Sequence, residues 1–96
     1  MTLADVQVMI DVINTLDHFD VPRDRYAIQT PPTDECVCLM CVNGAWITCV
    51  YNHGDMYGME RHDDILDAAC GLINMIGADE AEIDAMLEYL DAAVNG

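Results

Sequence analysis

The chain has 96 residues, of which 18 are Asp or Glu and three are basic, so its formal net charge is −15. The three basic residues are all arginines, and the sequence contains no lysine. A surface this negative repels nucleic acid and anionic membranes and attracts basic protein surfaces. We therefore expect no direct nucleic-acid binding, no membrane association, and a basic nucleic-acid-binding protein as the partner.

The acidity does not by itself require a partner. A net charge far from zero keeps a small protein in solution. Adaptation to high salt also favours acidic residues, although five cysteines and seven methionines are an unusual choice for it. Solubility and salt adaptation therefore stay open beside a role in binding.

The length and the 53% hydrophobic content predict one folded domain over residues 1–96 rather than a disordered chain. No apolar run is long enough to span a membrane. The first residues include Asp5 and no basic cluster, so we expect neither a signal peptide nor a transit peptide. An odd number of cysteines without a secreted disulfide pattern also favours a cytoplasmic protein.

The N-terminal segment predicts a helix. Thr2 and Asp5 have the spacing of a capping box, and Pro22 prevents the helix from continuing beyond about residues 17–19. The predicted apolar stripe consists of Leu3, Val6, Met9, Ile10, Ile13 and Leu16. Its predicted polar side consists of Asp5, Asp11, Asn14 and His18.

The middle of the chain predicts an antiparallel meander of three strands, 36–42, 45–51 and 56–60. Asn43-Gly44 is a strong signal for a two-residue hairpin turn, which places Cys38 opposite Cys49 and Cys41 opposite Trp46. A second turn at His53-Gly54 would place Val50 opposite Tyr57. Residues 26–30 could form another short strand.

Both faces of this sheet are predicted to be apolar. One predicted face carries Cys36, Cys38, Met40, Ile47, Cys49, Tyr51 and Met56. The other carries Val37, Leu39, Cys41, Trp46, Val50, Tyr57 and Met59. Either helices cover both faces, or one face contacts another protein, and a homodimer is one form that such a contact could take.

Two further helices follow the meander. Asp63 or Asp64 caps the first, and Asp79 with Glu82 resembles a second capping box. The first has the predicted stripe Ile65, Leu66, Ala69, Leu72, Ile73 and Ile76, and the second has Ile83, Met86, Leu87, Leu90 and Val94. The fold class is therefore predicted as α+β, with an N-terminal helix, a three-stranded antiparallel meander and two C-terminal helices.

The cysteines do not predict a metal site or a catalytic site. On a strand, Cys36 and Cys38 point to one face and Cys41 points to the other, so the three cannot bind one ion. No cysteine lies beside a basic group that would lower its pKa, so we expect no catalytic residue, no cofactor and no enzyme activity. A small thiol- or metal-binding protein built on Cys36, Cys38 and Cys49 remains the alternative of a different class.

Acidic residues in loops and at helix starts are the predicted partner-binding site. They are Asp34, Glu35, Asp55, Glu60, Asp63 and Asp64. Trp46 and Tyr57 could add aromatic anchors, although a place in the core is the simpler interpretation of both.

The order of elements over residues 2–94, together with the acidic pairs Asp34-Glu35 and Asp63-Asp64, resembles small acidic phage anti-CRISPR proteins of the type II-A group. In that family, acidic side chains imitate the phosphates of the DNA beside the protospacer and occupy the basic cleft of the Cas effector. The resemblance implies a DNA mimic that inhibits a nucleic-acid-binding protein.

A strand with Trp and Tyr, a glycine turn, another strand and an acidic-capped helix follow one another in this chain, at Trp46, Tyr51, Gly54, Tyr57, Asp64 and Ala68. This order resembles bacterial toxin-immunity proteins, which bind a basic toxin, often a nuclease, and block its active site. Both resemblances imply a non-catalytic inhibitor that acts by steric and electrostatic competition.

Overall fold

The computed structural model describes residues 2–32 and 35–96. This part of the chain contains three α-helices and four β-strands. In chain order they are α1 (Leu3–His18), a 3-10 turn (Arg23–Arg25), β1 (Tyr26–Ile28), β2 (Cys36–Val42), β3 (Ala45–Asn52), β4 (Asp55–His62), α2 (Ile65–Ile76) and α3 (Glu80–Asn95). The α+β class is confirmed. No helix in these residues has the length and apolar character needed to cross a membrane.

The sheet differs from the predicted three-stranded antiparallel meander, because it has four strands in the order β1-β2-β3-β4 and its first pair is parallel. Ala27 of β1 pairs with Cys38 of β2. Parallel neighbours normally need a long crossover. Here residues 29–35 suffice, because a strand of three residues requires the chain to return only about 10 Å. The possible strand at residues 26–30 is therefore confirmed as β1, but three residues carry no pattern that predicts their parallel pairing with β2.

The predicted hairpin register is confirmed. Cys38 pairs with Cys49, and Cys41 pairs with Trp46. The turn residue Asn43 has φ of 51° and Gly44 has φ of 81°, which is the positive-φ pair that a tight hairpin turn requires.

The second turn confirms the pairing of Val50 with Tyr57 but is followed by a bulge. Thr48 pairs with Glu60, so two residues of β4, Gly58 and Met59, lie opposite the single residue between Thr48 and Val50. Gly58 has φ of +60°, as expected at the first position of such a bulge. The extra residue reverses the alternation, so Met59 belongs to the opposite face from the predicted one.

The two faces of the sheet have different surroundings. The helix-covered face joins all the helices in one core, which includes Leu39, Trp46, Val12, Leu72 and Met86. The second face, which we call the open face, holds a separate cluster of strand residues: Ala27, Cys36, Cys38 and Cys49, flanked by Met40 and Tyr51. The helices of the described chain therefore cover one apolar face and not both.

The predicted apolar stripe of α1 is confirmed at Met9 and Leu16, which are buried, and is wrong at its other side. Val12, which the stripe left out, is fully buried, whereas Leu3, Val6 and Ile10 are exposed. The predicted stripe of α2 is confirmed except at Leu66, whose side chain is 41% exposed. Both helices carry apolar residues on more than one side, so periodicity could not select the buried side. Asp11, predicted as polar surface, is 9% exposed.

Candidate protein-binding edge

Strand β4 forms an open edge of the sheet. It is hydrogen-bonded to β3 and has no neighbour on its other side among the described residues. Residues 55–61 are all exposed. Such an edge presents unpaired backbone groups as well as side chains to a partner.

The bulge gives the two sides of β4 different chemistry. Asp55 and Glu60 pair with Asn52 and Thr48, which places both carboxylates on the helix-covered side together with Tyr57. We call Asp55, Tyr57 and Glu60 the acidic side of β4. The opposite side carries Met56, Met59 and Arg61 by the same register. The Arg61 guanidinium and the two methionine side chains therefore lie on the other side of the strand from the carboxylates.

The acidic side continues beyond β4 into the start of α2. Asp64 is the N-cap of α2, and its carboxylate accepts a hydrogen bond of 2.8 Å from the backbone N–H of Asp67. The Asp67 carboxylate lies 3.3 Å from Nδ1 of His62, whose Nε2 lies 2.8 Å from the Thr48 hydroxyl. His62 is thus held between the sheet and α2 and fixes how β4 leads into the helix.

Five of the six predicted partner-binding residues lie in the described part of the chain, and all five are exposed: Glu35, Asp55, Glu60, Asp63 and Asp64. Asp34 lies outside the described residues. Asp55 stands at the start of β4, and the run from Glu60 to Asp64 stands at its end, about 15 Å further along the strand. Glu35 precedes β2, two strands away, so it does not join this group.

The sequence patterns did not identify Asp67 as a member of the acidic surface. It is exposed in the first turn of α2, where carboxylates are favoured by the helix dipole. Its position three residues after the Asp64 cap is the signal that could have identified it.

Exposed apolar side chains lie on the same strand as the carboxylates. Tyr57 is 53% exposed and its hydroxyl donates a hydrogen bond of 3.4 Å to Asp55, while Met59 is 58% exposed. Trp46, the second aromatic candidate, is buried in the core. Of the two, Tyr57 is the one that a partner can reach.

The cysteines on the open face are poorly suited to chemistry. Sγ of Cys36 and Sγ of Cys38 are 3.9 Å apart, and all five cysteines of the chain are free thiols. Burial raises the pKa of Cys38 to about 12, helped by the nearby Cys36, and burial also raises the pKa of Cys49. Neutral thiols are weak nucleophiles and weak ligands. Within residues 2–32 and 35–96, no group of three or more His, Cys, Asp or Glu side chains is arranged to hold a metal ion.

The negative charge is not neutralised within the chain. Arg23 forms a 2.8 Å ion pair with Asp17, and even complete pairing of the three arginines would leave a formal charge of −15.

No family model matches the chain, and comparison with curated proteins and with solved structures likewise finds no match.

Proposed function

We propose that this chain is a non-catalytic inhibitor that binds the basic surface of a nucleic-acid-binding protein and excludes its nucleic acid. The observation that supports this most directly is the composition of β4. An exposed edge strand carries carboxylates and an exposed tyrosine on one side, and more carboxylates follow at its end.

The two kinds of side chain have separate roles in this proposal. Carboxylates attract a basic surface over about 10 Å at 0.1 M salt, so they speed the encounter and orient it. The apolar body of Tyr57, which lies on the acidic side of β4, loses its contact with water at the interface and slows dissociation.

Within this class, we propose an anti-CRISPR protein that binds a Cas effector, on the strength of the resemblance in its acidic loops and in the order of α1, the antiparallel strands β2 to β4, α2 and α3, to which β1 is an addition. An immunity protein that neutralises a nuclease toxin is the alternative. The genes beside this one distinguish them, because phage genes favour the first and an adjacent large toxin gene favours the second.

The first test is affinity capture from a host lysate, followed by identification of the bound protein. Association is then measured with a triple variant, Asp55→Asn, Glu60→Gln and Asp63→Asn. A matched control removes three charges from α3 by Glu80→Gln, Glu82→Gln and Glu88→Gln. We expect the first variant to lower the association rate constant about tenfold and the control to change it less than about twofold.

Further measurements complete the test. Raising NaCl from about 50 mM to about 500 mM should weaken binding, and the partner's nucleic acid should compete with the chain. Tyr57→Ala should raise the dissociation rate constant while leaving the association rate nearly unchanged. Binding that ignores both salt and nucleic acid would contradict charge mimicry. Stoichiometric metal in the purified chain would instead favour a thiol- or metal-binding protein.

A further inference from the structure

A groove lies between α2 and α3, on a part of the molecule that the β4 edge does not include. It has a volume of about 290 Å³ and is lined by Leu66 and Cys70 of α2 and by Leu87, Leu90, Asp91 and Val94 of α3. This volume is at the lower limit of pockets that hold small molecules. It suits a few apolar side chains of a partner better than a cofactor.

Asp91 of α3 lines the groove, and Asp64 and Asp67 stand at the start of α2, the other helix that forms it. Burial raises the pKa of the Cys70 thiol, and the negative charges of Asp67, Asp64 and Asp91 raise it further. The negative charges of these three carboxylates are therefore all felt at Cys70, which lines the groove. Among the described residues, none of those that line it is basic.

Leu66 is the apolar side chain of the groove that is most open to a partner. It is 41% exposed, although it directly follows the buried Ile65 in α2. A side chain that inserts between Leu66 and Leu87 would remove apolar surface from water, which is favourable in proportion to the area removed. This supplies an apolar driving force beside the electrostatic one.

We infer that this groove receives the apolar side chains of a basic amphipathic helix, whose lysines or arginines lie against Asp64, Asp67 and Asp91. The inference rests on the proposed function in one respect, because it takes the partner to be basic. Charge selects the occupant, since an acidic segment or a nucleic acid would be repelled. Grooves between packed helices commonly bind amphipathic helices through apolar residues at helical spacing.

The groove also adjoins the β4 edge. Asp64 and Asp67 stand at the start of α2, directly after the strand that carries Asp55 and Glu60. A partner that covers the end of β4 is therefore placed to extend a helix along α2. The two surfaces share Asp64 and Asp67 at the start of α2, so one partner can bind both.

The test uses a fluorescein-labelled peptide of about 15 residues, with leucines at helical spacing and lysines elsewhere. A scrambled peptide of the same composition has the same charge without the apolar stripe. Fluorescence anisotropy should show the patterned peptide binding the wild-type chain at least about tenfold more tightly than the scrambled one. Equal affinity of the two peptides would overturn the inference, because charge alone would then explain binding.

The substitution Leu66→Lys tests whether the peptide binds in the groove, and Leu3→Lys is its control. Both positions are exposed helix positions, and both changes add one positive charge, but Leu3 lies on α1. We expect Leu66→Lys to weaken peptide binding at least about tenfold and Leu3→Lys less than about twofold. Equal losses would overturn the inference.

A second measurement uses only the wild-type chain, so it does not depend on whether a variant folds. The bound peptide should slow alkylation of Cys70 in the wild-type chain, as read by mass spectrometry, and should leave Cys41 unchanged. Unprotected Cys70 at a saturating peptide concentration would contradict the groove as the site. If a second copy of the chain occupies the groove instead, light scattering of the free wild-type chain will show a dimer that Leu66→Lys dissociates, and that result would overturn the inference.

These outcomes are separate from those of the proposed function. The peptide experiments use no captured partner. Their results therefore stay valid even if nucleic acid does not compete for the β4 edge. Conversely, a captured partner that binds Leu66→Lys as tightly as wild type would leave the proposed function intact and contradict the groove.

Discussion

The thiols of the open face illustrate how burial sets the chemistry of single residues. Cys38 and Cys49 are opposed on neighbouring strands and are fully buried, although the described helices all lie on the other face. The larger side chains of Met40 and Tyr51 flank them. Because water is excluded, the charged thiolate is disfavoured, and burial raises the pKa of both groups above the usual value for cysteine.

This burial predicts that the free energy of unfolding decreases as the pH rises above 9. The thiol of Cys38 loses its proton near pH 9.0 when the chain is unfolded, but its folded-state pKa is raised to about 12. The unfolded chain therefore binds fewer protons in this window, and alkaline conditions favour it. Urea unfolding at about pH 8 and about pH 10 measures the slope.

Cys38→Ala is the matched variant for that slope. It removes the group that titrates, so its stability should depend less steeply on pH, by at most about 1.4 kcal/mol per pH unit. A cavity left by the substitution lowers stability equally at both pH values and does not affect the comparison. An unchanged slope would mean that Cys38 does not control the alkaline transition.

At the scale of elements, the bulge in β4 determines which side chains share a side of the strand. We predict that Gly58→Ala lowers the free energy of unfolding by about 1 kcal/mol, because L-residues are strained at its φ of +60°. An added Cβ would meet none of the described atoms within 4 Å, so the cost comes from the backbone alone. Gly58→Asn should cost less, since asparagine tolerates this conformation. Equal stability of wild type and Gly58→Ala in urea unfolding would contradict a bulge that depends on glycine.

The start of α2 gives a second prediction at this scale. Asp64→Ala should lower the free energy of unfolding by about 1 kcal/mol, because the backbone N–H of Asp67 loses its capping acceptor. Asp63→Ala removes the same charge from the adjacent exposed position and should change stability by less than about 0.5 kcal/mol. Chemical unfolding of the two variants makes the comparison, and equal losses would show that charge, not capping, determines the effect.

For the whole molecule, self-repulsion predicts that salt stabilises the fold. A formal charge of −15 on 96 residues opposes compaction, and salt screens it. The urea midpoint should rise between about 20 mM and about 500 mM NaCl, and KCl should give the same result. Sulfate is unsuitable, because it strengthens apolar burial by another route. A midpoint that falls with salt would mean that attractive ion pairs outweigh the repulsion.

The expected effect of salt on stability has the opposite sign to its expected effect on partner binding. Salt should make the chain more stable and its complex weaker, so loss of binding at high salt cannot be attributed to unfolding. The homodimer through the open face remains a prediction, and light scattering of the purified chain would check it.

Local interactions made much of this fold predictable. The capping box of Thr2 and Asp5, the N-caps Asp64 and Asp79 and the Asn43-Gly44 turn act between residues a few positions apart, so their signals are complete within a short stretch of sequence. The hairpin register, the helix starts and the α+β class follow from them. The net charge and the kind of partner it favours need no structure either.

Tertiary structure decided the features that depend on distant residues. Strand β1 exists because β2 is beside it, and α1 buries Val12 rather than Leu3 because of what packs against each side. The bulge at Gly58 moved Met59 to the opposite face. The sequence patterns around Trp46 and Tyr57 are alike, yet Trp46 is buried under the helices and Tyr57 is exposed. Which apolar and acidic side chains stay exposed is therefore set by the packing of whole elements, because burial depends on neighbours that no local pattern identifies.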